Sequence, residues 1–364
     1  MKNNIRKILD RIKMIALKRT YDKKITNLLN NQQKSNLKNE EVIKIQNFWK
    51  KYFLKPINIK WHKYYINFNS FDEKYIPEDL FYGIIEKKFN GYRQIITTFE
   101  DKNYYDLLYS KFDKPKSLLK NINGIFYDES MKILEQDEVL NYLNNLEGEF
   151  IIKPSLDTSG AKNVRKINIK TKEILMNKKV YNWEQILSLY RKDFLIQELV
   201  KQSKEISKIY PNSLNTLRFM TYRKGKEFDI LSVIIRIGAN GAEVDNLVKG
   251  GFGVGINKIT GKLNDFGVDK NGKIINKIHP ETKYTFADFQ IPNWNYIVSK
   301  IEEWSFDIPD YFKLCSWDIG LDENNNPIFI ECNLCGQEIN FHQVNNGPLF
   351  GDKTEHYLNE LSGE

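Results

Sequence analysis

Apolar residues near the start of the chain recur at helical spacing. In "NIRKILDRIKMIALKRTYDKK", Ile5, Ile8, Leu9, Ile12, Ile15 and Ala16 fall on one stripe with Arg and Lys between them, which predicts a basic amphipathic helix. The polar stretch "NNQQKSNLKNE" reads as a loop and "VIKIQNFWKKYF" as further helix, with helical and aromatic sequence running to about Glu86. From about Asp101 the pattern changes. "DKNYYDLLYSKF" reads as a helix after a loop, "GIFYD" and "EFIIKPS" as short strands around a helix near Asp137 to Leu146, and "VRKINI" as a strand. "NWEQILSLYRK" reads as a helix and "DFLIQELV" as a buried strand. Then "TLRFMTYR", "FDILSVIIRIG", "VGINKIT", "GKLNDFG" and "GKIINKI" read as successive antiparallel strands, with Thr-Gly and Asn-Gly at turns. A helix, "NWNYIVSKIEEWSF", precedes a last hairpin. The expected body is α+β with much antiparallel sheet.

Composition adds bounds. The 364 residues are 41% apolar and 28% charged, which suits a globular chain rather than a disordered one. No secretory signal is visible, and the longest apolar run, near Ile230 to Ala239, is broken by Arg236. Cys315, Cys332 and Cys335 are odd in number and clustered, which is no disulfide framework, so a cytosolic protein is expected. The net charge of +8 is spread over many lysines; it admits an anionic membrane surface or phosphorylated substrates, or reflects compositional bias. No nucleic-acid partner is expected. The basic first helix either docks on its own domain or rests on anionic lipid at the inner face of a membrane.

The hairpin "LCSWDIGLDENNNPIFIECN" raises a chemical question. Alternation puts Leu314, Ser316 and Asp318 on one face, and Phe329, Glu331 and Asn333 together on the returning strand, with Ile328, Ile330 and Cys332 opposite. A turn centred between Asn324 and Asn325 pairs Asp318 with Glu331. Like charges so opposed are destabilising, and a cation removes the conflict. Asp318, Glu331 and Asn333 are therefore candidate oxygen ligands for Mg²⁺; the alternative is an ordinary solvated hairpin face.

Upstream elements suit a polyphosphate. Lys153 ends an apolar strand before small residues, Ser159 and Gly160 among them, that let backbone N–H groups approach phosphate; the alternative is a surface lysine before a turn. Glu198 and Val200 end another strand, where an acid with free backbone groups can read the amino edge of adenine or simply cap the strand. Glu205 can accept from ribose hydroxyls or sit solvated. Arg218 and Arg236 interrupt apolar strands, either to clamp phosphate or carboxylate or to form structural ion pairs. "VKGGFGVGIN" is no dinucleotide fingerprint because a hairpin follows it rather than a helix. It reads as a loop beside the site, with Asn246, Lys249, Gly250 and Gly251 as candidate substrate contacts. "CNLC" lacks the partners of a zinc site.

Together "EDKN", "FIIKPSLDTSG", "IQELV", "LNTLRFMTYR", "RIGANGAEVDNLVKGGFGVGIN" and "WDIGLDENNNPIFIECN" resemble the ATP-grasp superfamily over about Ile76 to Asp352. The set looks closest to the sugar-transfer-associated ATP-grasp family, related to teichuronopeptide-type and D-alanine–D-alanine-ligase-type enzymes. The resemblance implies two α+β lobes gripping ATP, with a helical N-terminal extension. Residues 1–76 would form the helical region, 77–200 a preceding segment and the small lobe, and 201–364 the large lobe with the metal site. It implies ATP contacts from Lys102, Lys153, Ser159, Gly160, Glu198, Val200 and Glu205, magnesium on Asp318, Glu331 and Asn333, and catalytic roles for Arg218 and Arg236. The implied activity is carboxylate–amine ligation through an acyl phosphate, with a sugar acid or amino acid as partner in capsule or surface-polysaccharide assembly. A kinase on the same fold and a non-catalytic glycan-binding or scaffold module are the alternatives. The chain departs from the pattern in three places: Ser316 stands where D-alanine-ligase-like members carry arginine, Gly160 is the one glycine of the phosphate loop, and the usual preceding α/β domain is hardly visible.

Overall fold

The computed structural model describes residues 2–32, 35–91, 95–156, 162–170, 173–241 and 250–363, with the backbone alone for residues 2–11. Two antiparallel sheets divide the strands by their place in the sequence. The first contains β1 (Ser117–Ile122), β2 (Ile125–Tyr127), β3 (Ile133–Leu134), β4 (Gly148–Pro154), β5 (Arg165–Lys170), β6 (Glu173–Met176), β7 (Lys179–Tyr181) and β8 (Phe194–Glu198), in the order β3-β2-β1-β8-β4-β5-β6-β7. The second contains β9 (Thr216–Lys224), β10 (Glu227–Ile237), β11 (Phe252–Ile256), β12 (Leu263–Asp269), β13 (Ile274–Asn276), β14 (Leu314–Leu321) and β15 (Pro327–Asn333), in the order β13-β12-β11-β10-β9-β14-β15.

Alternation decides which side of each sheet is apolar. In the first sheet Phe150, Ile152, Phe194 and Ile196 pack with Val139, Leu143, Trp183 and Ile186 of helices Gln136–Asn144 and Trp183–Tyr190. Lys153 and Leu195, paired across β4 and β8, therefore point away from those helices. In the second sheet Leu217, Phe219, Val233, Ile235, Trp317 and Phe329 share a core with helix Trp294–Ser305. The other face of that sheet carries Arg218, Arg236 and Asp318 beside the apolar Met220, Tyr222 and Leu314.

The strand β1 escapes recognition in the sequence for a physical reason. Its alternation is broken by an irregularity between Ser117 and Leu119, and Lys120 and Asn121 are buried polar residues in mid-strand. Lys120 is held by Asp106 at 3.0 Å, and Asn121 Oδ1 accepts from Gly124 and Asp193 N–H groups. The expected helix over "DKNYYDLLYSKF" is two short turns, Lys102–Tyr104 and Tyr105–Leu108, after which Tyr109 and Phe112 bury against Phe329.

The N-terminal helix extends over Lys2–Asn30. Its C-terminal half docks on the chain's own body, with Ile25 and Leu28 among Trp61, Tyr65, Tyr75 and Val344, and a Cβ on Gly83 would meet Met14 Cε at 3.0 Å. Ile12 and Ile15 stay more than half exposed.

Candidate functional site

Asp318 pairs directly with Glu331 across β14 and β15, as the sequence predicts, but by a different route. The turn spans five residues centred on Asn324, with Leu321 opposite Pro327, and a one-residue bulge at Ile330 shifts the register back. The bulge also corrects the expected faces. Phe329 does not share the Glu331 face; it enters the core with Cys332, opposite Ile319. Asn333, opposite Ser316, stays on the Glu331 side.

The like-charge conflict at this pair is met by the protein's own cations. Arg218 of β9, paired directly with Asp318 of β14, donates from Nε to Oδ1 at 2.7 Å and from Nη2 to Oδ2 at 2.6 Å. Arg236 adds an Nη1 bond to Oδ2 at 3.1 Å. Lys102 Nζ lies 2.9 Å from Glu331 Oε2. A charged row thus crosses four strands, Arg236, Arg218, Asp318, Glu331, and ends on Lys102. Burial pushes the Asp318 carboxyl up while the two guanidiniums oppose it. Burial acts on Glu331 in the same sense, but Lys102 and Arg218 outweigh it and hold that carboxyl well below the usual range. The expected alternatives for Arg218 and Arg236 therefore meet: both are in ion pairs, and those pairs are with the candidate metal carboxylate.

Lys153 arrives from the first sheet. It is 5% exposed, and among the described residues no carboxylate lies within ion-pair distance of its Nζ. Burial, reinforced by the nearby Lys102 ammonium, pushes its pKa down to about 7. Lys102 N–H donates to Ser155 O at 3.1 Å, tying the turn that carries Lys102 to the end of β4. The two lysines and Glu331 thus meet where the sheets approach each other.

The remaining candidates are more scattered. Glu198 is exposed at the end of β8; its backbone N–H, expected to be free, instead donates to Lys116 O, and its Oε2 accepts from Lys116 N–H. Val200 lies half-buried in the crossing segment between the sheets, which Ser203 anchors through Leu321 O. Glu205 is exposed and ion-paired with Lys208. Gly250 adopts φ 97°, and a Cβ there would lie 2.1 Å from Asn240 Nδ2, so a turn accounts for that glycine; Gly251 is buried beside it. Ser159, Gly160, Asn246 and Lys249 lie outside the described residues.

"GFGVGI" has a packing explanation. Gly253 and Gly255 face helix Ile339–Asn346, and a Cβ on Gly255 would lie 2.3 Å from Asn346 Oδ1 and 2.8 Å from Asn345 O. Only glycine allows that approach.

Three further residues shape the site. Glu338, five residues past Asn333, accepts from Arg218 Nη1, on the guanidinium that also binds Asp318. Its φ of 57° lies in the left-handed region. Glu100 Oε1 accepts from the N–H groups of Leu334 at 2.7 Å and Cys335 at 3.1 Å and so holds the loop after Asn333. His342 is fully buried with neither ring nitrogen hydrogen-bonded, and burial with Arg218 nearby pushes its pKa down to about 3. Cys332 is in the core and Cys335 is exposed, so "CNLC" does not converge.

The donor chemistry suits a hard cation: two carboxylates with an amide, beside a buried Ser316 Oγ and an Asn333 Nδ2 that lack hydrogen-bond partners. Among the described residues no group of three or more His, Cys, Asp or Glu side chains is arranged to hold a metal, so the amide of Asn333 is needed to complete a three-residue set.

Solved structures with a similar fold include an L-amino acid ligase from Bacillus licheniformis (10% identity, 71% of this chain and 48% of that one, TM-score 0.37). VanG D-Ala:D-Ser ligase from Enterococcus faecalis matches at 14% identity over 72% of this chain and 61% of that one, TM-score 0.39. D-alanine–D-alanine ligase from Bacillus anthracis, complexed with ATP, matches at 12% identity over 74% and 64%, TM-score 0.35. In each case the match spans less than two thirds of the relative's length. No curated protein matches the sequence. The sequence does match the family described as "Sugar-transfer associated ATP-grasp" over residues 85–357, most of its length, and the protein belongs to that family.

Proposed function

We propose that this protein is an ATP-dependent carboxylate–amine ligase. The observation that carries the reading is the convergence of Lys102, Lys153 and the row Glu331, Asp318, Arg218 and Arg236 where the two sheets meet. Lys153 is a buried amine with no carboxylate partner among the described residues, which suits a polyphosphate; Lys102 would share the phosphates with Glu331. Glu198 and Val200 would border the adenine and Glu205 the ribose, with Ser159 and Gly160 covering the phosphates. Asp318, Glu331 and Asn333 would hold Mg²⁺, which neutralises charge on the phosphates when bound. Asn246, Lys249, Gly250 and Gly251 would border the acceptor.

In this reading a substrate carboxylate attacks the γ-phosphorus, ADP leaves, and an acyl phosphate forms. An amine then attacks the acyl carbon, inorganic phosphate leaves, and the amine proton passes to solvent. The residues named here position and neutralise; none acts as a nucleophile. Arg218 and Arg236 supply fixed positive charge, a role that Ser316 leaves open. The family description, sugar-transfer associated, supports a sugar-linked substrate; a sugar acid or an amino acid as one partner, in capsule or surface-polysaccharide assembly, follows from the resemblance.

The test is ADP release from the full chain with Mg·ATP, screening uronic acids and nucleotide-linked sugar acids against amino acids and amines, with mass spectrometry of the product. Release that needs both an acid and an amine supports the ligase. Release with a hydroxyl compound alone identifies a kinase, and no Mg·ATP binding at all identifies a non-catalytic module.

A further inference from the structure

A cavity of about 190 Å³ lies between the N-terminal helix and the loop after β15. Tyr21 and Lys24 of that helix, Glu78 and Tyr82, and Glu338 and Asn340 line it. At roughly 10–15 Å³ per water-sized sphere it has room for about a dozen non-hydrogen atoms, the size of an amino acid or a hexosamine. One guanidinium separates it from the charged row, because Glu338 and Asp318 bind the same Arg218.

Its lining is rich in acceptors. Glu78 is fully buried, and neither of its oxygens receives a well-aligned hydrogen bond; Lys24 Nζ lies 2.6 Å from Oε2. Asn340 is 6% exposed and its Oδ1 has no hydrogen-bond partner. Glu338 and Lys24, each nearly half exposed, stand at the mouth. Tyr21 and Tyr82, stacked on each other at 5.3 Å, complete the lining. Each carboxylate already has a cation, Lys24 for Glu78 and Arg218 for Glu338, but both Glu78 oxygens and Asn340 Oδ1 lack an aligned hydrogen bond, which favours a ligand group that brings several N–H donors. An anion offers no donor to these acceptors, and a hydroxyl offers one proton where a primary ammonium offers three.

We propose that this cavity is the binding site for the amine partner, taken up as a small primary ammonium compound, with Glu78, Glu338 and Asn340 as its acceptors. The assignment rests on the ligase reading for its place in the reaction, and it makes the N-terminal helix a wall of the acceptor site.

The test is ligand binding to the full chain by titration and saturation-transfer NMR, using three matched pairs: L-alanine and L-lactate, ethanolamine and ethylene glycol, D-glucosamine and D-glucose. At least one amine is expected to bind about tenfold or more tightly than its hydroxyl partner. The near-isosteric substitutions Glu78→Gln and Asn340→Leu should each weaken that amine about fivefold or more. No preference for any amine, or a preference that survives both substitutions, overturns the assignment. Mg·ATP binding is titrated separately: amine binding without it sustains the cavity assignment and removes the ligase reading.

Discussion

Asp318 and Glu331 face each other across β14 and β15, and each is held by a different cation: Asp318 by the fork of Arg218, Glu331 by the ammonium of Lys102. Without a ligand the fold supplies the counter-charge; with Mg·ATP bound, Lys102 would be shared with phosphate.

Replacing Glu331 with Gln should reduce Mg-dependent ADP release by about 100-fold or more and weaken Mg·ATP binding, because it removes a ligand charge from the proposed metal site. Wild-type turnover in this variant would sink the metal assignment.

In the proposed phosphate role, Lys153 should make ATP affinity depend on pH. With a pKa near 7 it carries its charge below neutrality and loses it above, and a polyphosphate favours the charged form. The dissociation constant for ATP should therefore fall as pH is lowered from 8.5 to 6. The slope should vanish in Lys153→Ala, which should also bind ATP more weakly, and in Lys153→Arg, which stays charged. Calorimetry across that pH range reads the wild type and both variants.

The same lysine costs stability. Its folded pKa is depressed from the ordinary 10.5, so the unfolded chain binds more protons between about pH 7 and 10.5. The penalty is fully present below the folded value and is relieved as pH rises through that window. Lys153→Met should raise the melting temperature at pH 6 while weakening ATP binding; an unchanged or lower Tm would show that the buried amine is compensated.

Arg218 holds Asp318 and Glu338 at once and is 6% exposed. Arg218→Met should destabilise the fold by about 3–5 kcal/mol, since it leaves a buried carboxylate without its main partner. Arg218→Lys should recover part of that loss but not the two-pronged contact. Urea denaturation measures both.

Gly253 and Gly255 give a contrast on one strand. Gly255→Ala should cost about 1–3 kcal/mol, because the new methyl meets Asn346, Asn264 and the Asn345 carbonyl below 3.0 Å. Gly253→Ala has contacts of 3.4 Å or more and should be close to neutral. Equal melting temperatures for the two would contradict the close-approach explanation.

Local pattern carried much of this protein. Apolar runs in "TLRFMTYR" and "FDILSVIIRIG" revealed β9 and β10 and exposed Arg218 and Arg236 as polar breaks in apolar strands. A count of turn residues paired Asp318 with Glu331, although two offsets cancelled to do so, and the same bulge sent Phe329 to the opposite face. β1 stayed hidden because Lys120 and Asn121 are paid for by partners distant in sequence, Asp106 and Asp193.

The sequence by itself determined the strand-rich α+β body, the family, and the residue types able to meet a polyphosphate and a hard cation, because these follow from side-chain period and local chemistry. Only the tertiary structure decided which charges neutralise one another. Lys102 and Glu331 lie 229 positions apart, and Arg218 reaches Asp318 and Glu338 at separations of 100 and 120. It likewise decided that the N-terminal helix walls a cavity beside them. Coulomb and hydrogen-bond energies depend on distance in space, and that distance is set by how two sheets and a helix pack, which no local pattern encodes.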